Sequence, residues 1–190
     1  VRDEPIFALD EVLDAGQVGG RVVAENLRLA RAAAAMVRLR IEELPAILTI
    51  DQALKAQSYV LPPVFKLRGE PDKAIAEAAH RLSGELKIGG QEHFYLEGQV
   101  AYAIPGEQGT WRVYSSNQHP GGAQEWIAHA LAIDSAQVTV ETRRIGGGFG
   151  GKETQANHPC VWSALAAFKT GRPVKMRLDR DDDMTLTGKR

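Results

Sequence analysis

The chain has 190 residues, 44% of them hydrophobic, and its 23 Lys and Arg against 24 Asp and Glu leave a formal net charge of -1. That is enough chain for one or two cored domains, with no basic excess of the kind that tracks nucleic acid. One cysteine, Cys160, excludes a disulfide framework or a four-cysteine zinc or iron–sulfur site within these residues and points to a reducing, cytoplasmic location.

No apolar run approaches the length of a membrane span, and "VRDEPIFALDEV" at the amino end lacks the basic flank and apolar core of a signal peptide. Val1 is no natural start residue and "MRLDRDDDMTLTGKR" stops after an apparent strand and a charged turn, so the chain is expected to be a fragment. In the first third, "RVVAE" reads as a strand and Leu27 to Met36 as an alanine-rich helix capped by Asn26. "VRLRIEE" alternates like a strand, and "TIDQAL" is a helical turn with Thr49 or Asp51 as its cap. "SYVLPP", Ser58 to Pro63, is the best linker candidate, because adjacent prolines stop either regular structure.

Beyond it, "DKAIAEAAHRL" reads as a helix led by Pro71 and Asp72, and "SGELKIGGQ" as a strand. The alanines of "AEAAHRL" and "ARAAAAMV" suggest close helix-on-sheet contact. "QVAYAI" and "WRVYSS" flank the turn "PGEQG" and predict a hairpin. A helix from about Gly122 to Leu131, a strand "QVTVETRR", a glycine loop, a helix over much of Thr154 to Lys169 closed by Gly171 and Pro173, and a strand "PVKMRL" follow. Pro159 is awkward inside that last helix unless it marks the first turn.

The loop itself, "RRIGGGFGGKETQ", satisfies both G-x-G-x-x-G and G-x-x-x-x-G-K. Each match is weak. A P-loop needs Ser or Thr after its lysine to ligate magnesium, and Glu153 stands there instead; the ribose-binding acid of a dinucleotide fold would be Asp179, inside the charged run "RLDRDDDM". Strand, loop and helix in that order would still deliver backbone N–H groups at a helix N-terminus, an anion or polarised-oxygen site. Phe149, a large aromatic among glycines, reads as the wall of a cavity.

Taken together, "GGQEHFYLEGQVAYAIPGE", "YSSNQHPGGAQEWIAHAL" and "RRIGGGFGGKETQ" resemble the molybdenum-binding subunit of the xanthine dehydrogenase and aldehyde oxidase family, nearest its xanthine dehydrogenases. The likeness is strong from about Ser83 to Gly188 and weaker over the first sixty residues. It implies an α+β fold: the end of an α/β hammerhead domain over residues 1–57, a linker at 58–64, and over 65–190 the start of a molybdenum-cofactor-binding domain with mixed sheets and flanking helices. It implies that Gly148, Phe149 and Gly150 lie against a molybdenum–molybdopterin centre, that the amide of Gln118 lies beside an oxygen on the metal with no direct protein ligand, and that Glu153 hydrogen-bonds a purine, with Phe149 in the substrate pocket. Aldehyde oxidases tend to carry a different, often apolar, residue at the Glu153 position. The implied reaction hydroxylates hypoxanthine or xanthine with water-derived oxygen and passes electrons through iron–sulfur clusters and FAD, on partner chains or other domains, to NAD or oxygen. The full assembly is expected to be a dimer, with no nucleic acid and no membrane as partner. The family's base glutamate and its pocket arginine lie outside these residues.

Two other readings stand beside this one. An aldehyde or other N-heterocycle molybdenum hydroxylase shares the chemistry, with Glu153 arguing against aldehydes, and a non-catalytic nucleotide- or phosphate-binding module would use the glycine loop alone. Among the remaining polar residues, Glu92, His93 and Glu97 offer too few ligands on one face for a metal and are read as hydrogen-bonded support near the cofactor cavity. His119 is at most indirect support, and His80, His129 and His158 are surface or packing residues. Lys152 could face an anionic cofactor or cap a neighbouring carbonyl, and Cys160, in a helix with Trp162 and Leu165, is a core residue.

Overall fold

The computed structural model describes residues 5–187. These fall into two compact units, one made of the stretch up to Val37 and the stretch from Gly89 on, the other of Arg38–Ile88.

The first unit is organised by the predicted hairpin. Strands β1 (Val100–Pro105) and β2 (Trp111–Ser115) pair antiparallel, with Ala103 opposite Val113 and Tyr102 opposite Tyr114. β3 (Val138–Glu141) runs parallel to β2, and β4 (Val174–Arg177) antiparallel to β1, giving the order β3-β2-β1-β4. Alternation then sorts the side chains. Ala101, Ala103, Trp111 and Val113 face a buried layer, while Tyr102 and Tyr114 stack on the other face with ring centroids 6.4 Å apart.

Two helices cover the apolar face. α4 (Pro120–Leu131) starts with proline at its first turn and contributes Ala123 and Ile127; α5 (Asn157–Thr170) contributes Cys160, Val161, Ala164 and Ala167. Pro159 sits in the first turn of α5, where a missing N–H costs no helical bond, and Gly171 closes the helix in the left-handed region at φ 65°. The mixed sheet with flanking helices is the α+β architecture expected.

The remaining helices are local. α1 (Leu27–Ala34) carries Asn26 as its cap, whose side chain accepts from Leu29 N–H, and α2 (Ile50–Ala56) has a full capping box between Thr49 and Gln52. α3 (Pro71–Glu77) ends five residues short of the expected Leu82; none of its residues is buried, and so short a helix gains little from propensity alone. α1 and α2 also bury no residue, and the close helix-on-sheet contact expected of the alanines of α1 and α3 is made instead by alanines of β1 and α5.

Three expected strands do not form. "RVVAE", "VRLRIEE" and "SGELKIGGQ" have no regular structure, because no strand among the described residues pairs with them and an unpaired strand leaves its ladder open. The charged run taken as a turn is instead α6 (Arg180–Leu186), capped by Asp179, whose carboxylate accepts from Asp182 N–H at 3.1 Å.

Candidate functional site

The glycine loop, residues 146–151, is held by side chains from two other places in the chain. On one side the irregular segment Glu92–Glu97 packs against it so closely that side chains could not be accommodated. A Cβ at Gly151 would lie 2.7 Å from Tyr95 Cε1 and 2.9 Å from the His93 ring. Gly146 and Glu97 bond reciprocally: Glu97 N–H donates to the Gly146 carbonyl at 3.1 Å, and Gly146 N–H donates to the Glu97 carboxylate at 2.8 Å. The segment has no regular structure. Phe94 instead turns it through the left-handed region at φ 49°, and His93 and Tyr95 lie with rings nearly parallel.

On the other side stands Gln118, just before α4. Its Oε1 accepts from both Gly150 N–H and Lys152 N–H, each at 3.1 Å, and its own N–H donates to the Lys152 carbonyl at 2.8 Å. Gly148 must be glycine for the same reason, since a Cβ there would lie 2.5 Å from Gln118 Oε1. Two N–H donors aimed at one amide atom fix which end is oxygen. The Nε2 hydrogens therefore point away from the loop, without a partner among the described residues, on a side chain that is itself exposed.

This geometry corrects the expectation of a helix-terminal anion cradle. The N–H groups of Gly146, Gly150 and Lys152 are taken by Glu97 and Gln118, and that of Gly151 by the Gly148 carbonyl at 2.8 Å. α5 begins only at Asn157. A phosphate would have to displace a carboxylate and an amide to reach those groups, so the phosphate-binding module is not favoured. Asp179, the candidate ribose acid, is occupied as the α6 cap and pairs with Arg31 at 3.0 Å.

Beneath the loop lies a buried polar frame. Lys152 is 0% exposed; its Nζ donates to Ser116 Oγ at 2.8 Å, lies 3.4 Å from Glu97 Oε2 and sits 4.6 Å from the centre of the Tyr95 ring. Ser116 in turn donates to Glu97 Oε2 at 2.5 Å. Tyr95 donates to Asp183 Oδ1 at 2.6 Å, and Gln99 ties its backbone N–H to Asp183 Oδ2 and its side-chain amide to the Gly151 carbonyl, both within 2.9 Å. Burial lowers the Lys152 ammonium from its usual range, against the opposing pull of Glu97. Burial pushes Glu97 up, but the Ser116 hydroxyl, Gly146 N–H and Lys152 outweigh it and hold the carboxyl below 4.5. Burial and the Asp183 carboxylate raise the Tyr95 phenol.

The other sequence candidates divide. Phe149 stands at φ 52° and is 74% exposed, and a Cβ at Gly147 would lie 3.0 Å from its ring and 3.1 Å from Tyr95 Cβ. Glu153 directly follows Lys152 and is exposed. Cys160 is fully buried, its thiol pushed up to about 11 by that burial, as a core residue should be. His119 folds back on the first turn of α4, its Nδ1 2.7 Å from where a Gly122 Cβ would be. Glu97 supports the loop as expected, and the Lys152 ammonium turns inward to a hydroxyl and a carboxylate. Ser116, Gln99 and Asp183 escaped the sequence reading. The signal for Asp183 was there: an acidic cap at Asp179 followed by three acids is a helix start. Among the described residues no group of three or more His, Cys, Asp or Glu could hold a metal ion.

A cofactor rich in hydrogen-bond acceptors fits this donor set: Gln118 Nε2 is an oriented donor with no partner among the described residues, and Gly148 leaves no side chain between it and the loop. Residues 55–190 match the model of the molybdopterin cofactor-binding domain family. Over 189 residues, 99% of this chain, the sequence is 46% identical to a xanthine dehydrogenase/oxidase of Mus musculus, and it is 43% identical over 190 residues to a xanthine dehydrogenase of Drosophila pseudoobscura pseudoobscura. The chain spans 14% of the length of each. Among solved structures, aldehyde oxidoreductase from Desulfovibrio gigas aligns at TM-score 0.74 and 28% identity over 88% of this chain and 19% of that one. Quinoline 2-oxidoreductase from Pseudomonas putida 86 aligns at TM-score 0.78 over 94% of this chain and 24% of that one, and at 22% identity it speaks to the fold alone.

Proposed function

The chain belongs to the molybdopterin cofactor-binding domain family, and from that premise we propose that it is part of the molybdenum-cofactor subunit of a xanthine dehydrogenase, a purine-hydroxylating oxidoreductase of purine catabolism. The observation that carries this reading is the fixed Gln118, whose side-chain Oε1 accepts from Lys152 N–H and whose main-chain N–H donates to the carbonyl of Lys152, the residue that immediately precedes Glu153.

When bound, the cofactor supplies the two-electron oxidation and the oxygen atom taken from water. The protein's share is orientation. Gln118 offers Nε2 hydrogens to an acceptor of the cofactor, held in place by two backbone donors so that no reorientation is needed when charge develops there. The Gly148 backbone and Gly150, at φ 90°, permit the close approach that a side chain would block. Glu153 presents a carboxylate to purine N–H groups, and the exposed ring of Phe149 offers a flat apolar face to the heterocycle.

The wider assembly is part of the same proposal. Iron–sulfur and FAD domains or subunits would carry the electrons to NAD or oxygen, in a dimeric, cytoplasmic enzyme. The same proposal divides the chain into residues 1–57, 58–64 and 65–190, and the family match over residues 55–190 covers the whole of the last part. The Glu153→Val variant of the complete enzyme tests the substrate class. Xanthine turnover should fall roughly a hundredfold, because a polar pocket that loses its partner discriminates strongly, while an aromatic aldehyde is turned over as before. Xanthine turnover unmoved by the change would mean that Glu153 is structural, and a native enzyme that turns over the aldehyde but not xanthine would leave an aldehyde or other N-heterocycle hydroxylase as the better reading.

A further inference from the structure

Lys152 directly follows the loop and points its side chain inward, where the proposed function gives it no task. A fully buried ammonium is costly unless paired and hydrogen-bonded. Here it meets a carboxylate, a hydroxyl and an aromatic face at once, from Glu97, Ser116 and Tyr95. These partners come from two places: Tyr95 and Glu97 from the segment before β1, and Ser116 from directly after β2.

The main chain of the same residue does something different. Lys152 N–H donates to Gln118 Oε1, and the Lys152 carbonyl accepts from Gln118 N–H. Wherever its side chain is anchored, its backbone carries Gln118 with it, and Glu153 is the next residue. We propose that Lys152 is a positioning residue, whose clamp on Glu97 and Ser116 sets where the Gln118 amide and the Glu153 carboxylate stand. The clamp works as one piece with Gly146, because the Glu97 oxygen that meets Lys152 also accepts from Gly146 N–H. Both ends of the glycine loop thus hang on one carboxylate oxygen. This inference rests on the cofactor reading for its consequence in turnover, and on geometry alone for its consequence in the loop.

The test uses the complete enzyme with Lys152→Met and Glu97→Gln, read by amide hydrogen exchange across residues 146–153 and by xanthine turnover per bound molybdenum. Glu97→Gln keeps an acceptor for Ser116 and Gly146, so it decides the matter if Lys152→Met does not fold. In Lys152→Met, exchange at Gly150 and at position 152 should rise about tenfold while β1 and β2 are unchanged. Turnover per molybdenum should fall about tenfold with metal content retained, the mark of misplacement. A merely structural lysine would lower stability and metal content together and leave turnover per molybdenum unchanged. Glu97→Gln should show the same pattern, weaker. Loop exchange within twofold of native in the folded variants overturns the inference, even in an enzyme that binds molybdenum and oxidises xanthine. Loosened loops in the variants of a protein whose native form already binds no molybdenum would support the clamp and overturn the cofactor reading instead.

Discussion

The unit Arg38–Ile88 and the region from Gln91 to Thr187 were written in similar letters and folded differently. Both contain alternating apolar and polar stretches, "VRLRIEE" running into the first and "WRVYSS" lying in the second. In the second, Trp111 and Val113 alternate onto a face that α4 and α5 bury, with a strand on either side. In the first, Leu39 and Ile41 are 67% and 65% exposed, with no strand beside them among the described residues. Alternation says which side chains would share a face; a strand also needs a neighbour to close its hydrogen bonds. Helices are less demanding, since their bonds are internal, and so α2 stands on its capping box alone.

That contrast predicts where changes will matter. Val113→Asp, a charge at a fully buried site between α5 and the sheet, should destabilise by about 4 kcal/mol or more and abolish cooperative thermal unfolding of the sheet region. A mild effect there would mean that the sheet core is not the source of stability. Thr49→Ala removes the cap on which α2 depends and should cost about 1 kcal/mol, confined to faster exchange over residues 50–56. Spread of that effect beyond α2 would mean that the helix does not stand on its cap alone.

The smallest effect is set by pH. Glu97 titrates below 4.5 in the fold, so its contribution is fully present above 4.5 and is lost as pH falls from there through the folded value. Exchange across residues 146–152, corrected for intrinsic rates, should quicken in that window while α2 does not respond. Water around the partly exposed carboxylate keeps the size small.

What was legible in the sequence follows the same division. The hairpin, the Asn26 and Thr49 caps, the Gly171 stop and the first-turn role of Pro159 are local signals, and each was readable. Gln118, Phe149 and Glu153 were named through resemblance, since nothing in their spacing shows that Gln118 reaches Gly150 and Lys152 more than thirty residues away. The frame of Ser116, Gln99 and Asp183 was invisible for that reason: the contacts that tie it together join residues 19 to 88 positions apart, and Asp183 was hidden in a run of acids that looks solvated. The glycines misled in a specific way. Their pattern suggested free N–H groups, whereas three of those groups are spent on Glu97 and Gln118.

The most direct test of the account is Gln118→Ala in the complete enzyme, with molybdenum content and xanthine turnover measured on the same preparation. Losing an oriented donor where charge develops should lower turnover per molybdenum roughly a hundredfold while the metal stays bound. Turnover per molybdenum equal to that of the native enzyme would contradict the account, because the amide that the glycine loop is built to hold would then take no part in the chemistry.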